Sequence, residues 1–524
     1  MDTTARRRAF AVGVITTALV GPTLVVTSPA HADPISETRA IRKAVTLTGV
    51  REHQQAFQQI ANANGGTRAS GTPGYDASAD YVEDKLTAAG YTVTRQPFDF
   101  AYYQLLATPE FQQISPSAVT YAEGIDFADM AYSGSGNVTA AVQGVDLLLP
   151  PGPTANTSTS GCEAGDFAGF IPGNIALMQR GSCAFGLKAA NAEAAGAVGV
   201  IIFNEGQPGR TDTLFGTLGA PAGIPAIGTS FALGQELANT PGLTVRIEVE
   251  AISEIRSTVN LSAQTSGDAN NVVVVGAHLD SVAGGPGIND NGSGSAAILE
   301  IAEQFKRLNI SPRNQVRFMW FGAEENNLIG SSFYVSSLSE AELGRIRANL
   351  NFDMIGSPNF VRFVYDGDNS AFPVSGGATD GPQGSGEIER IFRDYFVSQN
   401  LPSSETPFNG RSDYGPFIAQ GIPAGGLFTG AEGVKTAAEA AVYGGTAGVA
   451  YDPCYHQACD TFANNSNTAL DQMSDAAAQA TLLLAKRNLT RKPLVDPAQP
   501  VSATAGASVG GGGLHPDHGE EVAR

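Results

Sequence analysis

The chain is long and acidic, and both properties limit what it can be. Its 524 residues exceed what one hydrophobic core usually supports, so two folded domains are expected, and a hydrophobic content of 42% is enough for sizeable cores. The formal net charge of -20 at pH 7 argues against nucleic acid and anionic membranes as partners, because both are polyanions. Such a surface instead suits a soluble protein outside the cell.

The first 32 residues are predicted to be an export signal. Three arginines at 6–8 precede an apolar stretch, and a small-x-small pattern indicates cleavage after Ala32. Arg7 and Arg8 also fit a twin-arginine element, although an ordinary secretory signal with a basic start fits equally well. No later apolar run is long enough to span a bilayer, so we expect a secreted mature protein with no membrane contact.

Residues 33–125 are predicted to form the first part of an α/β domain. The segment 51–90 has helical character with a glycine-rich interruption, and it ends at Gly90, which suits a helix C-terminus. Residues 91–100 are predicted to be a strand.

The composition changes in residues 126–250, where short apolar runs alternate with glycine and proline. Strands are predicted at 145–149, 175–179, 198–203 and 244–249. The element Arg-Gly-x-Cys-x-Phe at 180–185 resembles that of protease-associated domains. Because this segment holds no catalytic set of residues, we expect a β-rich inserted domain with a structural or substrate-guiding role.

Strands and helices alternate in residues 251–490, which implies βαβ units and a mainly parallel central sheet flanked by helices. In such sheets the binding crevice lies beyond the carboxyl ends of the strands. The helix after Asp290 has one apolar stripe, while Glu300, Glu303 and Lys306 are predicted to point elsewhere. The stripe consists of Ile298, Ile301, Ala302, Phe305 and Leu308.

The last segment, residues 491–524, is rich in proline, alanine and glycine and is predicted to be disordered or trimmed. Its histidines, His515 and His518, are expected to be exposed to solvent and idle.

Four cysteines in an exported chain favour disulfides over zinc thiolates, because neither sequence pair has the CxxC spacing of a zinc knuckle. Four cysteines allow three connectivities, and their spacing separates them into Cys162 with Cys183 and Cys454 with Cys459. The second pair would close a small loop over the two residues that follow Cys454.

The part of the chain most informative about function lies between residues 272 and 456, which hold two histidines and several carboxylates, some of them at the ends of apolar runs. These side chains belong to His278, Asp280, Asp290, Glu324, Glu325, Asp353 and His456. Mixed imidazole and carboxylate ligands suit zinc, and a bridging carboxylate suits two ions about 3.5 to 4 Å apart. Any one of these residues alone is more often a core histidine or a solvated acid, but the whole set predicts a two-metal hydrolase.

These motifs, in this order, resemble those of the secreted dizinc aminopeptidase family of the Streptomyces and Vibrio type. The motifs are His278-x-Asp280, Asp290-Asn291-Gly292-Ser293-Gly294, Glu324-Glu325, Asp353-Met354-Ile355-Gly356 and Tyr455-His456. With its inserted protease-associated domain, the chain is similar to aminopeptidase Y and to bacterial leucyl aminopeptidases. The resemblance covers nearly the whole mature chain. It implies hydrolysis of the first peptide bond of peptides with a free N-terminus, with a preference for large apolar residues such as Leu.

The resemblance also implies a ligand set for two Zn²⁺ ions per chain. His278 and Asp353 would hold one ion, Glu325 and His456 the other, and Asp290 would bridge both. Each ion then keeps an open position, which leaves room for a bridging water that attacks the carbonyl. The loop acids show no EF-hand-like spacing that would indicate calcium as well.

The family pattern assigns roles to the neighbouring residues. Glu324 is the expected general base, since adjacent side chains on an extended backbone cannot both point at one metal. Asp280 is expected to accept the free imidazole N–H of His278 and so fix its tautomer. Tyr455 would point its hydroxyl at the developing oxyanion.

Two further residues lie in segments similar to the family's substrate pocket. Arg411 would orient the bound substrate, and Phe428 would wall an apolar pocket for the first side chain. A salt bridge and a core aromatic explain these two residues equally well.

Two other classes of function compete with this interpretation. The first is another enzyme on the same scaffold, either a carboxypeptidase or a single-zinc glutaminyl cyclase, but five filled ligand positions with Glu324-Glu325 favour hydrolysis. The second is a catalytically inactive, receptor-like binding protein that has lost metal ligands, whereas all five positions are filled in this sequence. We expect the protein to be a monomer.

Overall fold

The fold was analysed in a computed structural model, which describes residues 38–376 and 378–489. The predicted export signal at 1–32 and the predicted tail at 491–524, with His515 and His518, lie outside the described residues. Among the described helices, none is both long and apolar enough to cross a membrane.

The α-helices, in chain order, are α1 (Arg39–Ala44), α2 (Leu47–Ala63), α3 (Pro73–Ala88), α4 (Phe185–Ala194), α5 (Phe231–Asn239), α6 (Gly292–Arg307), α7 (Ile329–Ser337), α8 (Glu340–Leu343), α9 (Ser385–Ser398), α10 (Gly415–Ala419), α11 (Ala437–Tyr443) and α12 (Asn467–Lys486). The strands are β1 (Val93–Leu105), β2 (Glu110–Ser115), β3 (Val119–Tyr121), β4 (Phe127–Ala131), β5 (Gly136–Gly144), β6 (Ile175–Gln179), β7 (Gly199–Phe203), β8 (Gly216–Thr217), β9 (Ala226–Thr229), β10 (Thr244–Val249), β11 (Ala251–Gln264), β12 (Asp268–His278), β13 (Asn314–Phe321), β14 (Ile346–Phe352), β15 (Phe363–Tyr365), β16 (Ser404–Thr406) and β17 (Ala424–Phe428).

An eight-stranded sheet forms the larger layer, in the order β1-β11-β13-β12-β14-β17-β15-β16. Its centre, β13-β12-β14-β17, is parallel, while β1 and β11 pair antiparallel at one edge. Helices cover both faces, so the predicted α/β class with a mainly parallel central sheet is confirmed.

The apolar run of β12 explains why both faces of this sheet are covered. Side chains alternate along a strand, so Val273 and Val275 face the core beneath α2, α3, α6 and α12. Val272 and Val274 face the opposite core beneath α7 and α10. A strand buried on both faces has no polar alternation, and all four valines are almost completely buried.

A second sheet, of nine strands, has its own core. The ribbon of β1 and β11 connects it to the first sheet. Leu105 at the end of β1 pairs with Ala251 at the start of β11, where the two strands leave the ribbon. Strands β2 and β3 already belong to the second sheet although they precede residue 126. We therefore propose that the inserted domain spans 106–250 rather than 126–250.

The strands of this sheet follow the sequence pattern with one exception. The runs at 175–179, 198–203 and 244–249 form β6, β7 and β10, but the prediction of a strand at 145–149 is wrong. The strand ends at Gly144, and Asp146 turns the chain with a φ of 42°. Burial rather than pairing accounts for the start of this run, since Val145 packs into the domain core while Leu148 is 40% exposed.

Helix α6 also departs from its predicted pattern. Most of its apolar stripe is buried, but Leu308 at its end is 38% exposed. Glu300, which the pattern directs away from the core, is only 5% exposed, because α2 packs against that face. A single helical stripe therefore underestimates how much of α6 is covered.

Candidate metal centre

The carboxyl ends of the parallel strands bring the candidate ligands to one edge of the sheet. Strand β12 ends at His278, β13 is followed by Glu324 and Glu325, and β14 is followed by Asp353. Because these strands run in the same direction, their ends lie side by side, as expected for an α/β binding crevice.

Two histidines approach one aspartate from opposite sides. His278 Nε2 lies 3.2 Å from Asp290 Oδ1, and His456 Nε2 lies 3.2 Å from Asp290 Oδ2. Each imidazole has a second carboxylate neighbour: Asp353 Oδ1 is 3.2 Å from His278 Nε2, and Glu325 Oε2 is 3.0 Å from His456 Nε2. The five side chains thus form two groups of three that share Asp290.

These spacings fit the donor set of two zinc ions. Ligand atoms about 2.0 to 2.2 Å from a tetrahedral ion lie about 3.2 to 3.6 Å from one another. All five side chains are at most 5% exposed. In the described part of the chain, Glu324 Oε1 and Glu325 Oε1 have no hydrogen-bond donor. Buried carboxylates are costly without a cation, so the residues suit divalent metal.

The pKa values of the site residues also indicate an excess of negative charge. Burial raises the pKa of Glu325 to about 7 and that of Glu324 well above its usual value. Burial disfavours the charged imidazoles, but Glu325 and Asp290 outweigh it and raise the pKa of His456 to about 11. The pKa of His278 is raised likewise, by Glu324 and Asp353. The raised pKa values of both imidazoles thus reflect the negative charge of the surrounding carboxylates, which metal ions would also offset.

Asn291 joins the loops of Asp290 and Asp353. Its side chain caps α6 by accepting from Gly294 N at 2.9 Å, and it also accepts from Met354 N at 3.2 Å. Its Nδ2 donates to Phe352 O at 2.9 Å. One amide therefore fixes the start of the helix relative to the end of β14.

The second histidine reaches the site through a disulfide-closed loop. Both cysteine pairs are bonded as predicted, Cys162 with Cys183 and Cys454 with Cys459. Asp460, next to this loop, accepts from the backbone N–H of Asn289 at 2.8 Å and of Asp290 at 2.9 Å. Sequence reasoning missed Asp460, because no local motif marks it.

Asp353 is oriented by a second residue that sequence reasoning did not single out. Ser412 Oγ donates to Asp353 Oδ2 at 2.6 Å and accepts from Asn351 Nδ2 at 2.7 Å. This chain of hydrogen bonds leaves Asp353 Oδ1 directed at His278. The neighbouring Asp413 is completely buried, and burial raises its pKa to about 7.

Arg68 stabilises the loop that leads to Asp290. Its guanidinium is completely buried and donates to the carbonyls of Leu279, Pro286 and Gly287. Burial lowers its pKa to about 10, against the opposing effect of nearby carboxylates such as Asp280. In the sequence Arg68 belongs to a glycine-rich interruption between helices, which gives no indication of this contact.

Asp280 contacts His278 mainly through its backbone. Its carbonyl oxygen is 3.2 Å from His278 Nδ1, while its carboxylate Oδ1 is 3.6 Å away. That carboxylate accepts instead from Glu324 N at 3.3 Å. Glu324 also lies close to the cluster, since its Oε2 is 3.9 Å from His278 Nε2 and its carboxylate could meet an ion together with His278 and Asp353.

A cavity of about 350 Å³ adjoins Asp353. Phe428 and Arg411 both line it, and Arg411 Nη1 is 3.5 Å from Glu432 Oε1. Phe428 stacks on Phe363 with ring centres 6.1 Å apart, so it is also part of an aromatic wall. Tyr455 packs with Ala431 and Phe428, which line the same cavity, and its ring is stacked on His456 at 3.8 Å.

Comparison with known proteins identifies the family. Residues 260–481 match peptidase family M28, and residues 146–237 match the PA domain. The aminopeptidase of Pseudomonas aeruginosa is 48% identical over 454 residues, which cover 85% of this chain and 82% of that protein. Leucine aminopeptidase 2 of Arthroderma otae is 39% identical over 86% of each chain.

Solved structures share the fold. The aminopeptidase from Aneurinibacillus sp. strain AM-1 has a TM-score of 0.59 at 28% identity and covers 88% of this chain and 98% of its own. The structure of BSAP, a zinc aminopeptidase from Bacillus subtilis, has a TM-score of 0.54 at 26% identity, over 84% of this chain and 96% of its own. These similarities define a hydrolase of the metallo-aminopeptidase class. The chain belongs to peptidase family M28, with a PA domain inserted in the peptidase fold.

Proposed function

We propose that this enzyme is a secreted aminopeptidase that uses two zinc ions and prefers large apolar residues such as Leu at the peptide N-terminus. The observation that carries the zinc count is the position of Asp290, with one carboxylate oxygen 3.2 Å from each histidine. His278 and Asp353 would hold one ion, and Glu325 and His456 the other.

Zinc at this site would supply a Lewis acid that polarises the carbonyl and lowers the pKa of water. Glu324 lies beside the ligands with one unpaired oxygen, so it can take a proton from water and return it to the leaving amine. Tyr455 stacks on His456 and would stabilise negative charge on the carbonyl oxygen. Asp280 holds His278 in one orientation through its carbonyl.

The cavity beside Asp353 is the proposed pocket for the first side chain of the peptide. Its volume of about 350 Å³ and its wall of Phe363 and Phe428 suit a large apolar group. The relative from Arthroderma otae is named a leucine aminopeptidase, which agrees with this chemistry. Arg411 would orient the bound peptide from the rim.

A panel of aminoacyl anilides tests this proposal. We expect kcat/KM for the leucyl anilide to exceed that for the glycyl anilide by about 10- to 200-fold, because each buried methylene contributes to binding. The N-acetylated leucyl anilide is the matched control and should not be cleaved, since it lacks the free amine. Equal cleavage of the acetylated substrate would exclude aminopeptidase activity, and cleavage from the carboxyl end would favour the carboxypeptidase alternative.

Secretion is supported by two observations. The two disulfides are typical of an oxidising compartment, and residues 1–32 have the pattern of an export signal. We propose export, with the twin-arginine route and an ordinary secretory route both compatible with the N-terminus. The mature enzyme would act as a monomer on peptides, with no nucleic acid or membrane partner.

The inserted domain is proposed to guide substrates rather than to perform chemistry, because it holds none of the ligands. Leu105 and Ala251 are direct partners across the ribbon, so a short Gly/Ser linker can replace 106–250 without cutting the first sheet. We expect this deletion variant to keep two zincs and to cleave small anilides, while its ranking of longer peptides changes. Elemental analysis and a peptide panel measure both results.

One outcome would contradict this division of labour. A folded, zinc-loaded deletion variant that cleaves no small anilide would place an essential substrate contact in the insert. Circular dichroism of the variant separates this result from simple misfolding.

A further inference from the structure

We propose that His53, Glu300 and Glu303 form an additional zinc site, separate from the centre at the strand ends. His53 lies on α2, and the two glutamates lie one turn apart on α6. Glu300 follows Gly292, the first residue of α6, by eight residues, so the rise of 1.5 Å per residue places it about 12 Å along the helix from the ligand loop. None of the three residues has a role in the proposed peptidase mechanism.

The three side chains offer a compact set of donor atoms. His53 Nε2 lies 3.7 Å from Glu300 Oε2 and 4.0 Å from Glu303 Oε2, and the three ligand atoms all lie within 4.8 Å of one another. One imidazole and two carboxylates are a donor set that zinc accepts, with the fourth position left to water. The nitrogen-to-oxygen distances are too long for hydrogen bonds, but a small contraction would bring all three atoms to zinc.

The environment of the His53 imidazole indicates that its Nε2 binds a ligand. Its side chain is 2% exposed, and Nε2 has no hydrogen-bond partner among the described residues. Nδ1 is 2.8 Å from the hydroxyl of Tyr81, which fixes the ring and leaves Nε2 directed at the carboxylates. Histidines that bind metal commonly have their other ring nitrogen held in this way.

The residues around the cluster leave space for the carboxylate of Glu300. A Cβ at Gly49 would collide with the carboxylate of Glu300, so this glycine in α2 provides the notch that the carboxylate fills. Gln304 Nε2 donates to Glu300 Oε1 at 3.0 Å and leaves Oε2 for the ion. The nearby cation Lys85 pairs with Glu52 at 3.2 Å.

Zinc at this position would stabilise the scaffold of the peptidase centre. It would link α2 to α6, and the N-terminus of α6 is the segment that Asn291 fixes beside Asp290. Because the ion binds the folded chain, it would raise Tm increasingly as the free Zn²⁺ concentration exceeds Kd.

Zinc binding by the mature protein tests the site, with Zn²⁺ alone as the probe. Wild type and the variants Glu303→Gln, His53→Gln and Glu52→Gln are dialysed against graded Zn²⁺ and measured by elemental analysis. We expect Glu303→Gln and His53→Gln to bind one equivalent fewer per chain than wild type. Glu52→Gln is the matched control, because its carboxylate is exposed and lies outside the cluster, and it should equal wild type.

Glu303→Gln is the deciding variant, since its side chain is 26% exposed and the change preserves its shape. We expect it to keep the leucyl anilidase activity of wild type while losing the last increment of Tm that Zn²⁺ produces. Equal zinc content and equal Tm increments in all four proteins would overturn the proposal and leave His53 as a buried neighbour of the glutamates. In a parallel dialysis against Ca²⁺ alone, an equivalent that wild type binds and Glu303→Gln does not would overturn the assigned metal class, because calcium prefers six to eight oxygen ligands. The comparison counts a difference of one equivalent, so it is independent of how many ions the peptidase centre holds.

Discussion

Replacing Glu324 with Gln is expected to lower kcat for the leucyl anilide by about 10² to 10⁴-fold, the usual contribution of a general base. The amide keeps the shape of the side chain but cannot take a proton from water. Glu324 lies beside the metal cluster and is not one of the five proposed ligands, so the zinc content should stay at the wild-type value. Steady-state kinetics and elemental analysis of the same sample measure both quantities.

Glu325→Gln is the matched control for this change, because it alters the adjacent carboxylate in the same way. Its Oε2 is 3.0 Å from His456 Nε2, where a shared ion would bind, so this variant should lose zinc as well as activity. If Glu324→Gln lost zinc while Glu325→Gln retained it, the roles of the two glutamates would be reversed. If both kept zinc and full activity, neither would be the general base.

The fold class could be predicted because its signals are local. The run Val272 to Val275 before His278 indicates a strand buried on two faces, and the alternation of strands with helices predicts a parallel sheet. The position of Asp353 after β14 follows from the same pattern. The strand proposed at 145–149 failed because an apolar run records burial, and burial does not require pairing in a sheet.

The candidate ligands could be named from the sequence, but the residues that hold them could not. His278 and Asp290 belong to short motifs, and the division of the ligands between two ions came only from the resemblance. Arg68 and Asp460 lie far from these motifs in sequence and act on backbone groups of the Asp290 loop. Contacts between a side chain and a distant carbonyl or amide leave no periodic pattern for sequence analysis to detect.

Glu300 illustrates the same limit within a helix. A helical stripe predicts one apolar face, and the charged residues outside it are expected to face solvent. The packing of α2 onto α6 covers a second face, and there the buried polar atoms belong to His53 and Glu300. We infer the further ligand site from these buried polar atoms, which depart from the simple helical pattern.

Removal of metal is expected to abolish hydrolysis completely, and added Zn²⁺ or Co²⁺ should restore it. The attacking water would be ionised only when bound to metal, and the carboxylates that would hold this metal raise the pKa values of the two imidazoles. Magnesium should not restore activity, because it demands octahedral oxygen ligands. The measurement is leucyl anilide cleavage after chelation, with metal content verified by elemental analysis at each step.

The pH dependence of restoration follows from the same charges. In the metal-free protein Glu325 and Asp290 raise the pKa of His456 to about 11, so this imidazole carries a proton throughout the neutral range. Zinc binds only neutral imidazole, and its uptake must therefore release that proton. The apparent affinity for Zn²⁺ should rise as pH increases from 6 to 8, by up to about tenfold per pH unit for each proton released. Full activity in a preparation shown to be metal-free would refute the metal mechanism, whereas an affinity independent of pH would refute the assignment of the two histidines as ligands, because the pKa of His278 is raised as well.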